Sequence, residues 1–438
     1  MLDLRKIFVF IFFSVFLAGC NADSNRIGAL VKGERIAVIG QSGEINIDEA
    51  FEGKAFPLSK EILNLSWSQS GYDAAHVMPN VMASTAPKRI WRTSVGRGSD
   101  SGYKLIASPV FSKGRIFTID ARGMVSGIDA KDGRILWQAS SAASDNRAMG
   151  AGLAVSGDML YATNGAGDVV ALDVESGKTK WRRSIAKPIR AAPSVADNRL
   201  FIISIDNKLY AFDATTGSII WDLVGISEST TIMGASAPAV VLDSVVAAYS
   251  SGDVVSLRVQ NGRIFWGYSL AGVSNRGAMP SISDIRALPV IEDGILYAVS
   301  SSGRMAAVNS RTGDRIWEIE IGGKDTVVIS GENIFVNTNK SQLVALSKKD
   351  GRVIWAQNLQ GKKNPKDASS DDIIWTGPVL AGGRLWLVNS LGHLASFFPQ
   401  DGSLDYYQDI GEPLFIAPVV VDRTFYVLSD RGNLFALR

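Results

Sequence analysis

The segment Ala171-Leu172-Asp173-Val174-Glu175-Ser176-Gly177-Lys178-Thr179-Lys180-Trp181 places a tryptophan four residues after a glycine, and the chain repeats that spacing. Gly133–Trp137, Gly217–Trp221, Gly262–Trp266, Gly313–Trp317 and Gly351–Trp355 share it. Gly402–Tyr406 keeps the ring and loses the indole. Successive aromatic positions lie 38 to 51 residues apart. A period of that size is the mark of a repeat architecture.

One unit, Ser108 to Gln138, reads as four short strands: Ser108-Pro109-Val110, Arg115 to Ile119, Met124 to Asp129 and Arg134 to Gln138. Gly, Asp and Asn turns separate them, as in an antiparallel meander. Four strands at this period make one propeller blade. A small residue stands six positions before each turn glycine: Gly127, Ala171, Ala211, Ser256, Ala307, Ala345 and Ser396, with Ala436 as an eighth. These are expected where two sheets pack closely. Four positions earlier comes a hairpin residue: Gly123, Gly167, Asn207, Gly252, Gly303, Ser341, Gly392 or Gly432. Glycine, and asparagine at lower cost, supply the positive φ of tight hairpins.

Eight hairpins but seven downstream rings leave one outer strand missing at the C-terminus. Lys88 to Val95, with Trp91, is the strand that fits. The chain is therefore expected to be all-β: an eight-bladed β-propeller of four-stranded antiparallel blades. The N-terminal strand closes it by pairing with the hairpin around Phe425 to Leu437, because an open end leaves backbone groups unpaired. Trp91, Trp137, Trp181, Trp221, Trp266, Trp317, Trp355 and Tyr406 are assigned to packing between blades, the ordinary use of a ring repeated at one site. Residues two before the ring (Ile135, Ile219, Ile264, Val353) are expected on a buried strand face.

Arg5-Lys6, the apolar run Ile7 to Ala18 and then Gly19-Cys20 read as a secretory signal peptide. Leu17-Ala18-Gly19-Cys20 resembles the bacterial lipoprotein signal, which implies that Cys20 becomes the lipidated first residue and anchors the protein to a membrane. Cys20 is the single cysteine. The organisation expected is 1–19 signal peptide, 20–66 lipidated cysteine and tether, 67–438 propeller. Asn21 in place of Asp favours the outer membrane by the enterobacterial sorting pattern.

With 45 basic and 43 acidic residues the net charge is +2, and no basic block suggests nucleic acid. His76 and His393 lie far apart without metal-type spacing. His393 follows a hairpin glycine and reads as an exposed turn residue. Gly165-Ala166-Gly167 leads into a strand, not a helix, and so is a hairpin and not a nucleotide loop. No catalytic set, metal site or cofactor is assigned. The polar stretch Gly361 to Asp372 reads as a solvated connection between blades. The insertion Ala271–Ala287 is the better candidate for binding.

The repeats resemble the tryptophan-docking units of the PQQ-like propellers, over Trp67 to Arg438. Trp67-Ser68-Gln69-Ser70-Gly71 with His76 is similar to the leading segment of that group. Trp91 to Gly98, Gly234-Ala235-Ser236-Ala237-Pro238 and Ser283-Asp284-Ile285 resemble the BamB family of lipoproteins of the outer-membrane β-barrel assembly machine. The resemblance implies a non-enzymatic scaffold at the periplasmic face of the outer membrane. Its implied partners are BamA and other assembly-machine subunits. It also implies contact through the loops holding Ile232, Met233, Gly234, Asp284 and Arg286. Met233 stands where that family has arginine, and Arg286 where it has a second aspartate. Two alternatives stay open: an envelope propeller with another partner, and a PQQ- and calcium-dependent dehydrogenase. The latter generally carries an adjacent cysteine pair, which one cysteine cannot supply.

Overall fold

In the computed structural model the chain divides into Met1–Ile45 and Asn46–Arg438, and the second unit holds all the regular structure described here. The structure describes residues 45, 47–51, 56–143, 149–225, 235–271, 284–364, 366 and 369–438. Cys20, the signal peptide, Ile232, Met233 and Gly234 lie outside the described residues.

Eight four-stranded antiparallel sheets follow one another along the chain. Blade 1 consists of Val110–Ser112, Arg115–Ile119, Met124–Asp129 and Ile135–Ser140. Blades 2 to 7 span residues 150–184, 194–224, 239–269, 290–319, 328–358 and 375–409. Blade 8 takes Val419–Val421, Thr424–Leu428 and Asn433–Leu437 from the C-terminus and its fourth strand, Arg89–Ser94, from the N-terminus. Thr93 pairs with Leu434 and Ser94 with Asn433, so the ring closes as the strand count requires. The hairpin residues adopt positive φ, from +55° at Ser341 to +103° at Gly303.

The small residues have a different task from the one expected. Each pairs directly across the sheet with the ring of its own blade: Gly127 with Trp137, Ala171 with Trp181, Ala436 with Trp91. The register then slips by one residue in every blade, between Gly127 and Ile128 in the first. Such a bulge bends the outer strand and re-aims its side chain. The small partner leaves space for the ring to lie over the sheet.

Each indole then reaches the next blade. Trp137 Nε1 donates to the Val174 carbonyl at 3.0 Å, Trp181 to Ala214 at 2.9 Å and Trp221 to Val259 at 2.9 Å. Trp91, Trp266, Trp317 and Trp355 do the same toward Ala130, Ser310, Lys348 and Pro399. The turn glycine belongs to the indole of the preceding blade. A methyl on Gly133, Gly177, Gly217, Gly262, Gly313, Gly351 or Gly402 would come within 3.0 Å of that ring. These glycines have φ between +69° and +81°, so a side chain is opposed twice over.

The residues two before the rings are not buried as expected. Ile219 is 51% and Ile264 52% exposed. Blades diverge with distance from the axis, so the fourth strand is covered only where an indole is long enough to bridge the gap. The core sits further in, on the second and third strands, where residues such as Phe117, Leu160, Phe212 and Leu343 are fully buried.

Candidate functional site at the connection rim

Strand direction gives the ring two unlike ends. Every first strand starts at the end where the chain arrives from the previous blade, the connection rim. The hairpins at Gly123 and its counterparts lie there too. The turns between first and second strands, and the glycine turns that receive the indoles, lie at the opposite end, the turn rim. Hydrogen bonds join neighbours at each end: Ser141 N to Gly123 O at the connection rim, Ala130 N to Gly114 O at the turn rim. The ring-docking belt therefore belongs to the turn rim.

First strands of adjacent blades touch, which places them around the axis. Their inner edges would present unpaired backbone groups. A strap formed by residues 59–83 bonds to all eight. Trp67 exchanges backbone hydrogen bonds with Phe111 at 3.1 and 2.7 Å, and Val155 N donates to Ser68 O at 2.8 Å. The Gln69 amide imitates a strand: its Nε2 donates to Val195 O and its Oε1 accepts from Val195 N, both at 2.8 Å. Val240 N donates to Ala74 O, Ile291 N to Ala75 O and Val81 N to Leu380 O. Ser59 meets Ser330 at 2.8 Å, and Asn64 Nδ2 donates to Val420 O at 2.9 Å. The bonded residues lie at the middle of the first strands or beyond it toward the turn rim, so the strap closes the axis on the turn-rim side. Part of the stretch expected to be tether, residues 59–66, belongs to this strap. Upstream of it, Phe56 packs on Phe335 with ring centres 5.8 Å apart.

The motif Trp67 to His76 is thus the middle of the strap. Burial lowers the His76 pKa to about 4, against the hydrogen bond to Pro289, and the ring is neutral at physiological pH. Its Nδ1 then donates to the Pro289 carbonyl at 2.8 Å. His393, expected in an exposed turn, opens the strand His393–Phe397 and stacks on Tyr407 with ring centres 4.5 Å apart.

Above the strap lies an axial cavity of about 170 Å³, floored by Trp67, Gly71 and Met78. Arg190, Arg286 and Lys324 also line it. Each stands four residues before the first strand of its blade: Ser194–Ala196, Val290–Glu292 and Val328–Ser330. That repeat position faces the axis at the connection rim. Among the described residues the side chains of Arg190 and Arg286 have no hydrogen-bond or ion-pair partner. Asp325 completes the charged set. Its Oδ2 accepts from Asn337 Nδ2 at 2.8 Å. Burial pushes its pKa up to about 6, opposed by the nearby Arg286, by hydrogen bonds from Asn337 and the Gly377 backbone, and by Lys324.

The expected contact residues separate. Asp284 is 2% exposed and lines a smaller pocket that Arg190 also borders. Ile285 enters the core between blades 4 and 5, and Arg286 faces the axial cavity. Alternation along an extended stretch turns Ile285 away from both neighbours, while Asp284 and Arg286 part by lining different pockets. A buried Asp284 holds the loop end in place and does not offer its carboxylate at the surface. Gly225 and Ala235, flanking residues 226–234, and Ala271 and Asp284, flanking residues 272–283, all stand at the connection rim. Sequence reading missed Arg190, Lys324 and Asp325. Their signal was the shared position four residues before a first strand, visible once the blades are aligned there. Among the described residues, no group of three or more His, Cys, Asp or Glu is placed to hold a metal ion.

The comparisons with known proteins agree with this architecture. The family described as "Outer membrane protein assembly factor BamB" matches residues 80–145 and 121–357. The BamB protein of Yersinia pestis is 26% identical over 367 residues, covering 82% of this chain and 91% of its own length. That of Escherichia coli K12 is 24% identical over 367 residues, with 82% and 91% covered. The BamB crystal structure from Moraxella catarrhalis superposes with a TM-score of 0.68 at 17% identity, over 81% of this chain and all of that one. A quinohemoprotein alcohol dehydrogenase from Comamonas testosteroni shares the fold with a TM-score of 0.65 at 13% identity, over 85% and 80%. With a match spanning more than half of its length and the ring those relatives share, the chain belongs to the BamB family of outer membrane protein assembly factors.

Proposed function

We propose that the protein is a non-enzymatic scaffold of the outer-membrane β-barrel assembly machinery, held at the periplasmic face of the outer membrane by lipid on Cys20 after removal of residues 1–19. It docks to BamA with its connection rim and so supports insertion of barrel proteins. The observation that carries the docking side is the asymmetry of the ring. The turn rim is occupied by the indole belt and the strap, while both candidate loops are anchored at the connection rim. Arg286 and Lys324 give that rim a positive centre, which suits an acidic partner surface. Ile232, Met233 and Gly234 contribute contact residues, and Asp284 fixes the base of the second loop. The proposal is tested by affinity purification of the full chain from envelope membranes in mild detergent. BamA is expected to co-elute, and to be lost when Ile232 and Met233 are both changed to aspartate. Failure of BamA to co-elute with the intact chain contradicts the docking assignment.

A further inference from the structure

We propose that the axial cavity is a binding site for a compact carboxylate-bearing anion, held by Arg190 and Arg286 with Lys324 at the mouth. The three cations come from three blades and line one cavity. Arg190 and Arg286 are only part-exposed. A guanidinium carries five donors and no acceptor, so where the protein supplies no oxygen its partners are water or a ligand. Here neither side chain bonds to a described protein group. Planar donor forks match a carboxylate better than any other common anionic group except phosphate. The cavity of about 170 Å³ lies below the roughly 300–1,000 Å³ of pockets for drug-sized ligands. The occupant is therefore small.

Asp325 is the acid in the lining and tunes the site. Asn337 and the Gly377 backbone hold it, and Arg286 and Lys324 are the charged groups that act on it. Its negative charge opposes an incoming carboxylate. Asp284 borders the neighbouring pocket beside Arg190 and stays outside this lining. The strap blocks the turn-rim end, so a ligand enters and leaves through the connection rim.

A free small acid and an acidic side chain on a docked protein share this chemistry. Calorimetry on the full chain in detergent, at constant ionic strength, separates them. The probes are succinate and N-acetyl-aspartate N-methylamide. Binding of succinate identifies a free acid, and binding of the peptide-like probe alone identifies a protein side chain. In either case Arg190→Gln and Arg286→Gln are each expected to weaken binding at least about tenfold. Asp325→Asn is expected to tighten it, an outcome that misfolding cannot imitate. Thermal melts check that each variant is folded. The proposal is overturned if neither probe binds the intact chain at about 10 mM or below, the concentration at which a Kd reports only about −2.7 kcal/mol. It is equally overturned if both arginine variants bind as the intact chain does. The protein is tested alone, so loss of BamA docking leaves this result unaffected.

Discussion

The Tyr406 hydroxyl donates to the carbonyl oxygen of Pro87 at 3.4 Å, across the seam where the ring closes. Pro87 stands four residues before Trp91, the place that a glycine holds in the other seven blades. An indole packs against a turn because the receiving residue has no side chain. At the seam the receiving residue has a pyrrolidine ring, and the smaller phenol takes the place of the indole. The tyrosine of blade 7 and the proline before Trp91 are the two sides of one contact.

Tyr406→Trp is accordingly expected to destabilise the protein by about 1–3 kcal/mol through overpacking. Gly217→Ala should cost a similar amount, since its methyl would meet Trp181 and its φ is +71°. Urea unfolding measures both. A rise in stability for Tyr406→Trp would contradict the coupling.

The seam also has a charged latch. Arg92 on the closing strand meets Glu412 at 2.6 Å, and the same carboxylate accepts from Ser429 at 2.6 Å and Asn433 at 2.9 Å. Burial opposes ionisation, but Ser429, Asn433 and Arg92 together hold Glu412 below its ordinary pKa. A depressed folded-state pKa contributes stability above the unfolded value, about 4.3. That contribution is lost as pH falls through the folded value. Glu412→Gln should therefore lower the melting temperature at pH 7, and the difference from wild type should shrink as pH drops below about 4.3. A gap independent of pH would rule out the latch as the source.

Gln69 joins the strap to blade 3 with two hydrogen bonds, and its side chain is buried. Gln69→Ala leaves the Val195 N–H and carbonyl without these partners at about 1–3 kcal/mol for each buried group. Hydrogen exchange is expected to accelerate at Val195 and at strap-bonded Val155 and Val240. Exchange unchanged at all three would mean that the strap does not hold the inner edges.

Closure predicts cooperativity. Deleting Ala417–Arg438 removes three strands of blade 8 and leaves Arg89–Ser94 without its partner. The truncated chain should be unfolded or aggregated. A native-like cooperative melt of that product would speak against closure through this pairing.

The fold was legible because a repeat multiplies weak signals. One Gly–Trp pair decides nothing; six copies and a Gly–Tyr seventh, with aligned hairpins, fixed strand count, blade count and the missing strand near Trp91. What sequence could not show was which residue each glycine serves. Gly177 is close to its own Trp181 in sequence, yet it receives Trp137. Outer-strand exposure at Ile219 and Ile264 was also hidden, because alternation reports two faces and not how far the neighbouring blade reaches. The candidate site was legible only in part. Met233 and Arg286 stood out against a family pattern, while Arg190 and Lys324 converge only when separate blades bring the same repeat position to the axis. The strap was unreadable for a related reason: apart from Ser59 with Ser330, its bonds to the first strands run to backbone groups, which carry no sequence identity.

Crosslinking in intact cells decides whether the connection rim faces the assembly partner. A photoreactive residue is placed at Met233 or Lys324 for the connection rim, and at the exposed turn-rim residue Lys113 as the contrast. The captured protein is identified by mass spectrometry. Capture of BamA from Met233 and Lys324 but not from Lys113 is the expected result. Capture of BamA from Lys113 alone would contradict it.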